Sequence, residues 1–454
     1  VKRSVLYVTL QEFNSSKGEM SPEKVTSTAM GYIFEELIRK FSESYDEQAG
    51  AHFTSRDIIY LMTELLIAPE KEQITAEGCT KTAYDMAMGT SQMLGCLTER
   101  LQEVSSDATL TCFGQEFNPE TYAIAKADML IKDGNASGMK YGDTLSDDAF
   151  SGYEFDYVIS NPPFGIDWKR EKTQVEAEAK LGYDGRFGPG LPAISDGQML
   201  FMLNGVKKLK EGSGRMAIIQ NGSSLFTGDA GSGASEIRRY LIHEDLVEAI
   251  VQLPTDLFYN TGISTYIWVL TKGKPMNRSG RVQLIDASKC FVKRRKNIGS
   301  KRVDLSDDCI DLILQAYEGF DQNEVYTADD LVVESKVFEN DFFGFTKVTV
   351  ETAQADENGK PILKRGKKQP VKGASNSEII PLSEDIDAYM AKNVLPYNPL
   401  AYIDPAKDKI GYEIPFTRLF YKFEAPEPSA SIFEDIKTLE AKETVLMKEL
   451  FGNA

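Results

Sequence analysis

Four consecutive residues, Asn161-Pro162-Pro163-Phe164, carry the most pointed chemistry in the chain. Two successive prolines fix the backbone and remove two N–H donors, leaving a rigid turn that offers carbonyl acceptors and one asparagine side chain. Such a turn suits an exocyclic NH2 group. Asn161 and the Pro162 carbonyl can each accept one N–H bond, drawing the nitrogen lone pair out of ring conjugation and aiming it at a methyl donor. Phe164 adds a face on which a base can stack. The same string also makes a stiff strand-to-loop corner. The apolar run 155–160 directly before it favours the chemical reading, because ligands of an open α/β sheet bind at the carboxyl ends of its strands.

Four shorter runs precede that turn in order. His52-Phe53-Thr54-Ser55 opens a helix containing Ile58, Ile59, Leu61 and Met62, and either Thr54 or Ser55 can serve as its N-cap. In Tyr84-Asp85-Met86-Ala87-Met88-Gly89-Thr90-Ser91 a strand ends in an acid, a glycine turn follows and a helix begins, with Gly89 allowing close approach to a ligand. Gly114-Gln115-Glu116 ends the next strand, where an acid can take both hydroxyls of a ribose, although a lone glutamate is ordinarily just exposed. Gly142-Asp143-Thr144-Leu145 offers one more acceptor or an ordinary turn.

The elements that must position these residues alternate. Helical spacing marks 21–45, 58–66, 90–104, 119–131, 196–209 and 237–242; strand patterns mark 82–85, 110–117, 155–160, 215–220, 249–253 and 266–271. Alternation of this kind predicts a mostly parallel, doubly wound α/β sheet. After about residue 345 the rhythm stops. The stretch 354–376 is polar and lysine-rich and reads as a linker or mobile hairpin, and 431–451 reads as a helix opened by a Ser431/Glu434 capping box, with Ile432, Ile436, Leu439, Leu446 and Leu450 on one stripe.

Composition narrows the possibilities. The 454 residues are 42% hydrophobic, enough for a sizeable core, and no run approaches a membrane span. The N-terminus shows no secretory apolar segment, so a cytoplasmic location is expected. Five scattered cysteines without paired spacing and two histidines argue against a disulfide framework and against a metal site. The net charge of −18 is the wrong sign for a chain that grips DNA unaided, so the grip is local or shared with a partner. One local reversal, Phe291 to Arg302, holds Lys293, Arg294, Arg295, Lys296, Lys301 and Arg302, and reads either as a solvated face or as a contact to a DNA backbone.

The Asn161–Phe164 run resembles motif IV of amino-methyltransferases, and the stretch from about 30 to 345 looks like the modification subunit of type I restriction-modification systems, an adenine-specific DNA methyltransferase family. The resemblance implies a Rossmann-like, seven-stranded S-adenosylmethionine-dependent methyltransferase core with a helical N-terminal remnant and a helical C-terminal tail. It implies that Asn161, Pro162 and Phe164 are catalytic, and that Thr54, Asp85, Gly89, Glu116 and Asp143 bind the cofactor. Thr54 matches the threonine of an F-Y-T-P segment at the methionine part of the cofactor, with Phe53 and Ser55 departing from that pattern. Asp85 and Gly89 match a D-P-x-x-G-T-G loop, with Met86 in place of proline and Ser91 in place of the second glycine; Asp85 then faces the cationic methionine end. Glu116 matches G-Q-E, and Asp143 matches G-D-T-L, accepting from the cofactor's adenine amino group. The 185–192 stretch resembles a substrate-facing loop that could close over a flipped base.

The implied organisation is an abbreviated helical segment over 1–50, a catalytic domain over 51–345, and a C-terminal tail over 346–454 with a linker and a subunit-contact helix. The implied partners are duplex DNA with a flipped adenine, a specificity subunit that reads the sequence, and a restriction subunit that cuts. Other functions stay open on the residues alone. A protein-glutamine or RNA methyltransferase also presents NH2 to such a turn; a standalone adenine methyltransferase would need its own reader; and the Met86 and Ser91 departures suit a non-catalytic scaffold.

Overall fold

In the computed structural model, residues 5–15, 18–19, 21, 24–25, 33, 54–132, 134–423 and 428–452 are described. The helix expected over 21–45 falls almost wholly outside them; a helix α1 (Val5–Phe13) lies ahead of it. The chain forms two compact units, Val1–Pro415 and Phe416–Ala454.

The first unit is built on a ten-stranded sheet. Its strands are β1 (Thr80–Asp85), β2 (Thr109–Glu116), β3 (Met139–Tyr141), β4 (Tyr157–Ser160), β5 (Arg215–Asn221), β6 (Val247–Gln252), β7 (Thr265–Thr271), β8 (Arg281–Asp286), β11 (Asn323–Ala328) and β12 (Leu331–Glu339), with β9 (Val292–Ile298) and β10 (Lys301–Asp304) forming a separate hairpin. Seven of the ten run β3-β2-β1-β4-β5-β7-β6, all parallel except β7, the number of strands that the resemblance implies. Three more, β8, β12 and β11, extend the sheet beyond the expected seven. All of β4 and β7 and nearly all of β5 are buried, which is why they read as continuous apolar runs rather than as alternations.

Helices α2 (Arg56–Ile67), α3 (Gln92–Val104), α4 (Pro119–Ile131), α5 (Gln198–Lys207), α6 (Gly233–His243) and α7 (Asp307–Gly319) flank the sheet. Asn118 caps α4 by accepting from Glu120 N and Thr121 N, with Pro119 at the first helical position. Helix α2 buries Ile58, Ile59, Leu61, Met62, Leu65 and Leu66, packing beside α3 and across β5. That packing holds its N-terminus, and Thr54 with it, against the edge of the sheet where β4 ends.

A small antiparallel sheet follows, where no regular structure was expected beyond a hairpin: β13 (Gly344–Ala353), β16 (Pro370–Pro381), β17 (Ala401–Ile403) and β18 (Lys409–Tyr412). It has its own core of Val348, Val350, Ile380, Met390 and Ala401. The 354–376 stretch is therefore a β-hairpin continuing from this sheet, tipped by β14 (Leu363–Lys364) and β15 (Lys367–Lys368). Strand β16 is exposed along most of its length, so it has no apolar alternation by which a sequence would announce it. In the second unit, α8 (Ser429–Phe451) begins two residues before the expected cap, which puts Ser431 inside its first turn rather than at its N-cap. No described helix is long and apolar enough to cross a membrane.

Candidate functional site

The expected site residues gather on one crest, the carboxyl ends of β1 to β4. Strands β1 and β4 are parallel neighbours, with Tyr84 opposite Val158, so the residues that follow leave the sheet side by side. Ser160, the last residue of β4, donates to Asp85 Oδ1 at 2.7 Å, and Ala87 N donates to the same oxygen at 3.1 Å. Asp85 is 1% exposed. Burial pushes its carboxyl up to about 7, against the pull of the Ser160 and Ala87 donors and with a smaller push from Glu116.

Asn161 lies beside this pair. Its Nδ2 donates to Thr54 Oγ1 at 3.0 Å. Its Oδ1 is buried and, among the described residues, has no hydrogen-bond partner. A buried acceptor without a donor costs free energy, on the order of 1–3 kcal/mol, and marks either strain or a place for a missing donor. Pro162 is buried, Pro163 exposed, and Phe164 half-buried against the main apolar core. The turn is pinned on its far side by Gly165 N donating to Asp196 Oδ1, while Asp196 Oδ2 accepts from Gln198 Nε2 at 2.7 Å and Ser223 Oγ at 3.0 Å.

Glu116 ends β2 with one oxygen accepting from Gly89 N at 2.9 Å and the other from Asn118 N at 2.7 Å. Gly89 has φ +53°, the left-handed turn its residue type allows. Ser91, where the resembling loop has glycine, also sits at φ +64°, an uncommon conformation for a side-chain-bearing residue. It is fully buried and opens α3. Met86, where that loop has proline, is buried with its sulfur 3.5 Å from Asn204 Nδ2.

The Asp143 loop is stitched to the same crest. Gly142 N donates to Glu116 O at 3.0 Å and Thr144 Oγ1 to Met86 O at 2.6 Å. Asp143 Oδ1 accepts from Leu145 N and Ser146 N, the turn geometry that its sequence also allowed. Thr54, Asp85, Gly89, Glu116, Asp143 and Asn161 are thus joined by short hydrogen-bonded links through Ser160, Gly142 and Thr144.

Three residues support the site in ways the sequence did not show, among them Lys301, expected on a solvated or DNA-facing run. Ser160 orients Asp85. Arg186 is buried, donates to Thr144 O at 2.7 Å and to Leu145 O at 3.1 Å, and pairs with Glu178, so the 185–192 stretch is anchored at its start. Lys301 is 1% exposed; its Nζ reaches Leu257 O at 3.0 Å, Ser55 Oγ at 3.1 Å and Asp57 Oδ2 at 3.1 Å. It therefore braces the start of α2 beside Thr54. Ser55 sits at the N-cap position but spends its hydroxyl on Lys301 rather than on the helix. Within the basic run, Lys301 is thus consumed by the interior and Arg294 pairs with Asp304, leaving Lys293, Arg295, Lys296 and Arg302 exposed. Only the burial of Lys301 separates it from its neighbours, and a charge run does not display burial.

The residues fit S-adenosylmethionine by chemistry. A buried carboxylate at Asp85 suits a cation, a second at Glu116 suits vicinal hydroxyls, and Gly89 supplies a glycine turn between them.

Over 342 residues the chain is 26% identical to the methylase subunit of the type I restriction enzyme HindI of Haemophilus influenzae, covering 74% of this chain and 71% of that one. Over 298 residues it is 26% identical to the MjaIX methylase subunit of Methanocaldococcus jannaschii, covering 65% of this chain and 49% of the relative. The chain spans about half the length of most curated relatives it matches. Among solved structures, the type I restriction-modification methyltransferase subunit of Streptococcus thermophilus superposes with a TM-score of 0.57 at 26% identity, covering 71% of this chain and 63% of that one. A putative type I modification subunit from Vibrio vulnificus shares the fold, with a TM-score of 0.51 at 16% identity, covering 78% of this chain and 66% of that one. Residues 25–358, well over half of the chain, match the family described as N-6 DNA methylase, and the chain belongs to that family.

Proposed function

We propose that this chain is the modification subunit of a type I restriction-modification system and methylates the exocyclic amino group of adenine in DNA. The observation that carries the reading is Asn161, held by Thr54 through its amide nitrogen and left with a buried oxygen that lacks a donor. A target amino group supplies the missing donor.

The target adenine leaves the duplex at a cost of a few kcal/mol of unstacking and stacks on Phe164. Asn161 Oδ1 and the Pro162 carbonyl accept its two N–H bonds, which fixes the amino nitrogen and keeps its lone pair outside the ring. S-adenosylmethionine, when bound, supplies a methyl group on a positively charged sulfur. Asp85 meets its cationic methionine end, Glu116 its ribose hydroxyls and Asp143 its adenine amino group, while Gly89 allows backbone approach and Thr54 holds Asn161 in register. The work is positioning and electrostatics.

The charge of −18 suits a subunit whose sequence recognition is supplied by a separate specificity subunit and whose cutting is supplied by a restriction subunit. In α8, Ile432, Phe433, Ile436, Leu439, Leu446 and Leu450 are all exposed, an apolar surface for a helix of the specificity subunit. We take 51–345 as the catalytic portion and α8, in the tail over 346–454, as the subunit-contact helix.

Asn161→Ala tests the reading. Mixed with its specificity subunit, the variant loses adenine methylation of plasmid DNA while calorimetry shows unchanged cofactor affinity. Parallel loss of both would mean the turn is a structural corner.

A further inference from the structure

One feature lies outside this site: the basic hairpin that continues β13 and β16. Residues 354–376 contain Lys360, Lys364, Arg365, Lys367, Lys368 and Lys372 against only Asp356 and Glu357, in a chain of net charge −18. Every residue from 354 to 368 is exposed. The hairpin is nevertheless well made. Gln354 N donates to Gln369 O and Ile362 N to Gln354 O, both at 2.7 Å, and Gln369 N donates to Ile362 O at 3.1 Å. The acid Asp356 is already engaged, accepting from Asn358 N and Lys360 N at 2.9 Å.

The tip is arranged against its own stability. Arg365 and Gly366 have φ +51° and +76°, as a two-residue turn with both central residues left-handed requires. Arginine pays for that conformation where asparagine or aspartate is the usual choice. Lys364 stands directly opposite Lys367 across the strands, and like charges in that position repel. Lys368 adds a fourth cation, over the Tyr402 ring at 5.1 Å. Among the described residues none of the four is in an ion pair. Four cations within five residues, on a turn that turn chemistry alone would not choose, call for a dense anion. Duplex DNA presents one phosphate charge per ~1.7 Å of axis, a density that scattered surface carboxylates do not match.

The small sheet is anchored at the end of β13 away from the hairpin. Ile414 N donates to Leu225 O at 2.9 Å, Arg238 Nε to Tyr412 O at 2.7 Å, and Lys347 Nζ reaches Asp229 Oδ1 at 2.7 Å. Residues 222–232 follow the carboxyl end of β5, and Ser223 there holds the Asp196 that pins Gly165 of the Asn161 turn. The small sheet thus packs on the residues that follow β5, which Ser223 and Asp196 link to the Asn161 turn, and β13 carries the chain roughly 30 Å onward to the hairpin.

Resting on the proposed function, we propose that the β14–β15 hairpin is a DNA arm: Lys364, Arg365, Lys367 and Lys368 bind the phosphate backbone of the duplex whose adenine enters the site, away from the flipped base. Such contacts position the duplex without reading its sequence.

The test uses the full chain assembled with its specificity subunit and a short fluorescein-labelled duplex of arbitrary sequence. Changing Lys364, Arg365, Lys367 and Lys368 together to Gln is expected to weaken binding at least tenfold at low salt. It is also expected to flatten the dependence of log affinity on log salt by about 3 to 4, at about 0.9 per lost phosphate contact. Cofactor affinity stays as in the unaltered protein, and the melting temperature does not fall, because the Lys364–Lys367 repulsion is removed. An unchanged salt slope overturns the assignment. So does loss of assembly with the specificity subunit at an unchanged slope, which would make the arm a contact to an acidic protein surface. Failure of the proposed function reads differently: the unaltered complex would bind the duplex yet transfer no methyl to plasmid adenine.

Discussion

Thr54→Val separates two roles for one hydroxyl. Resemblance assigns Thr54 to the methionine part of the cofactor, whereas its Oγ1 accepts the Asn161 amide at 3.0 Å. Valine keeps the shape and removes the acceptor. Thr54 is 9% exposed, so water does not readily replace the lost partner. Leaving a buried N–H unsatisfied costs about 1–3 kcal/mol. If Asn161 must be oriented only when the amino group is attacked, that cost appears in the transition state. At 1.36 kcal/mol per factor of ten, kcat then falls about 5- to 150-fold. Single-turnover transfer of labelled methyl to duplex DNA at saturating cofactor measures it, with calorimetry giving the cofactor Kd. The expected result is a lowered rate at an unchanged Kd. A weakened Kd with an unchanged saturated rate would refute the positioning role and return Thr54 to the cofactor.

Other consequences follow from the same geometry. Burial pushes the Asp85 carboxyl up to about 7, so between about 4 and 7 the native protein holds a proton that the unfolded chain has released. Through this group stability falls as pH rises across that window, and binding of a cation, which needs the ionised acid, strengthens. Cofactor affinity is expected to weaken about tenfold per pH unit below about 7, and Asp85→Asn to flatten that profile; an Asn variant with the same profile would exonerate Asp85. Lys301→Met leaves Asp57 without its cation, while Asp304 keeps Arg294, and is expected to lower stability by about 3 kcal/mol in denaturant titrations, with the salt dependence of DNA binding unchanged. The reverse pattern, a stable protein with a flatter salt slope, would make Lys301 a DNA contact after all. Ser91→Gly relieves a left-handed serine and is expected to raise unfolding stability by up to about 1–2 kcal/mol; a loss would show that the Ser91 hydroxyl, near Ala125 O, contributes more than its backbone costs.

What could be read from the chain, and what could not, divides along a physical line. The crest was legible because each of its parts is local. Residues 157–160 are buried on both faces and so read as an uninterrupted apolar run, and the strand's end is announced by two prolines. Asp85 and Glu116 each close a strand just before a helix start, so their placement follows from sheet topology once alternation is seen. The illegible parts are those decided by distant contacts. Strand β3 is three residues long with two of them exposed, and it exists only because β2 pairs with it. Strand β16 lies on an edge with polar residues on both faces, held by β13 and not by its own pattern. Lys301 is chemically identical to the lysines around it, and its partners Ser55, Asp57 and Leu257 are 44 to 246 residues away in sequence. The same contrast explains why one basic run lost a member to the interior while the other kept all of its tip cations in solvent. A lysine can be buried where a folded surface already carries carboxylates to receive it, as Asp57 and Asp304 do here. The β14–β15 tip extends beyond the cores of both sheets and meets no such surface, so its charges remain for a partner to neutralise.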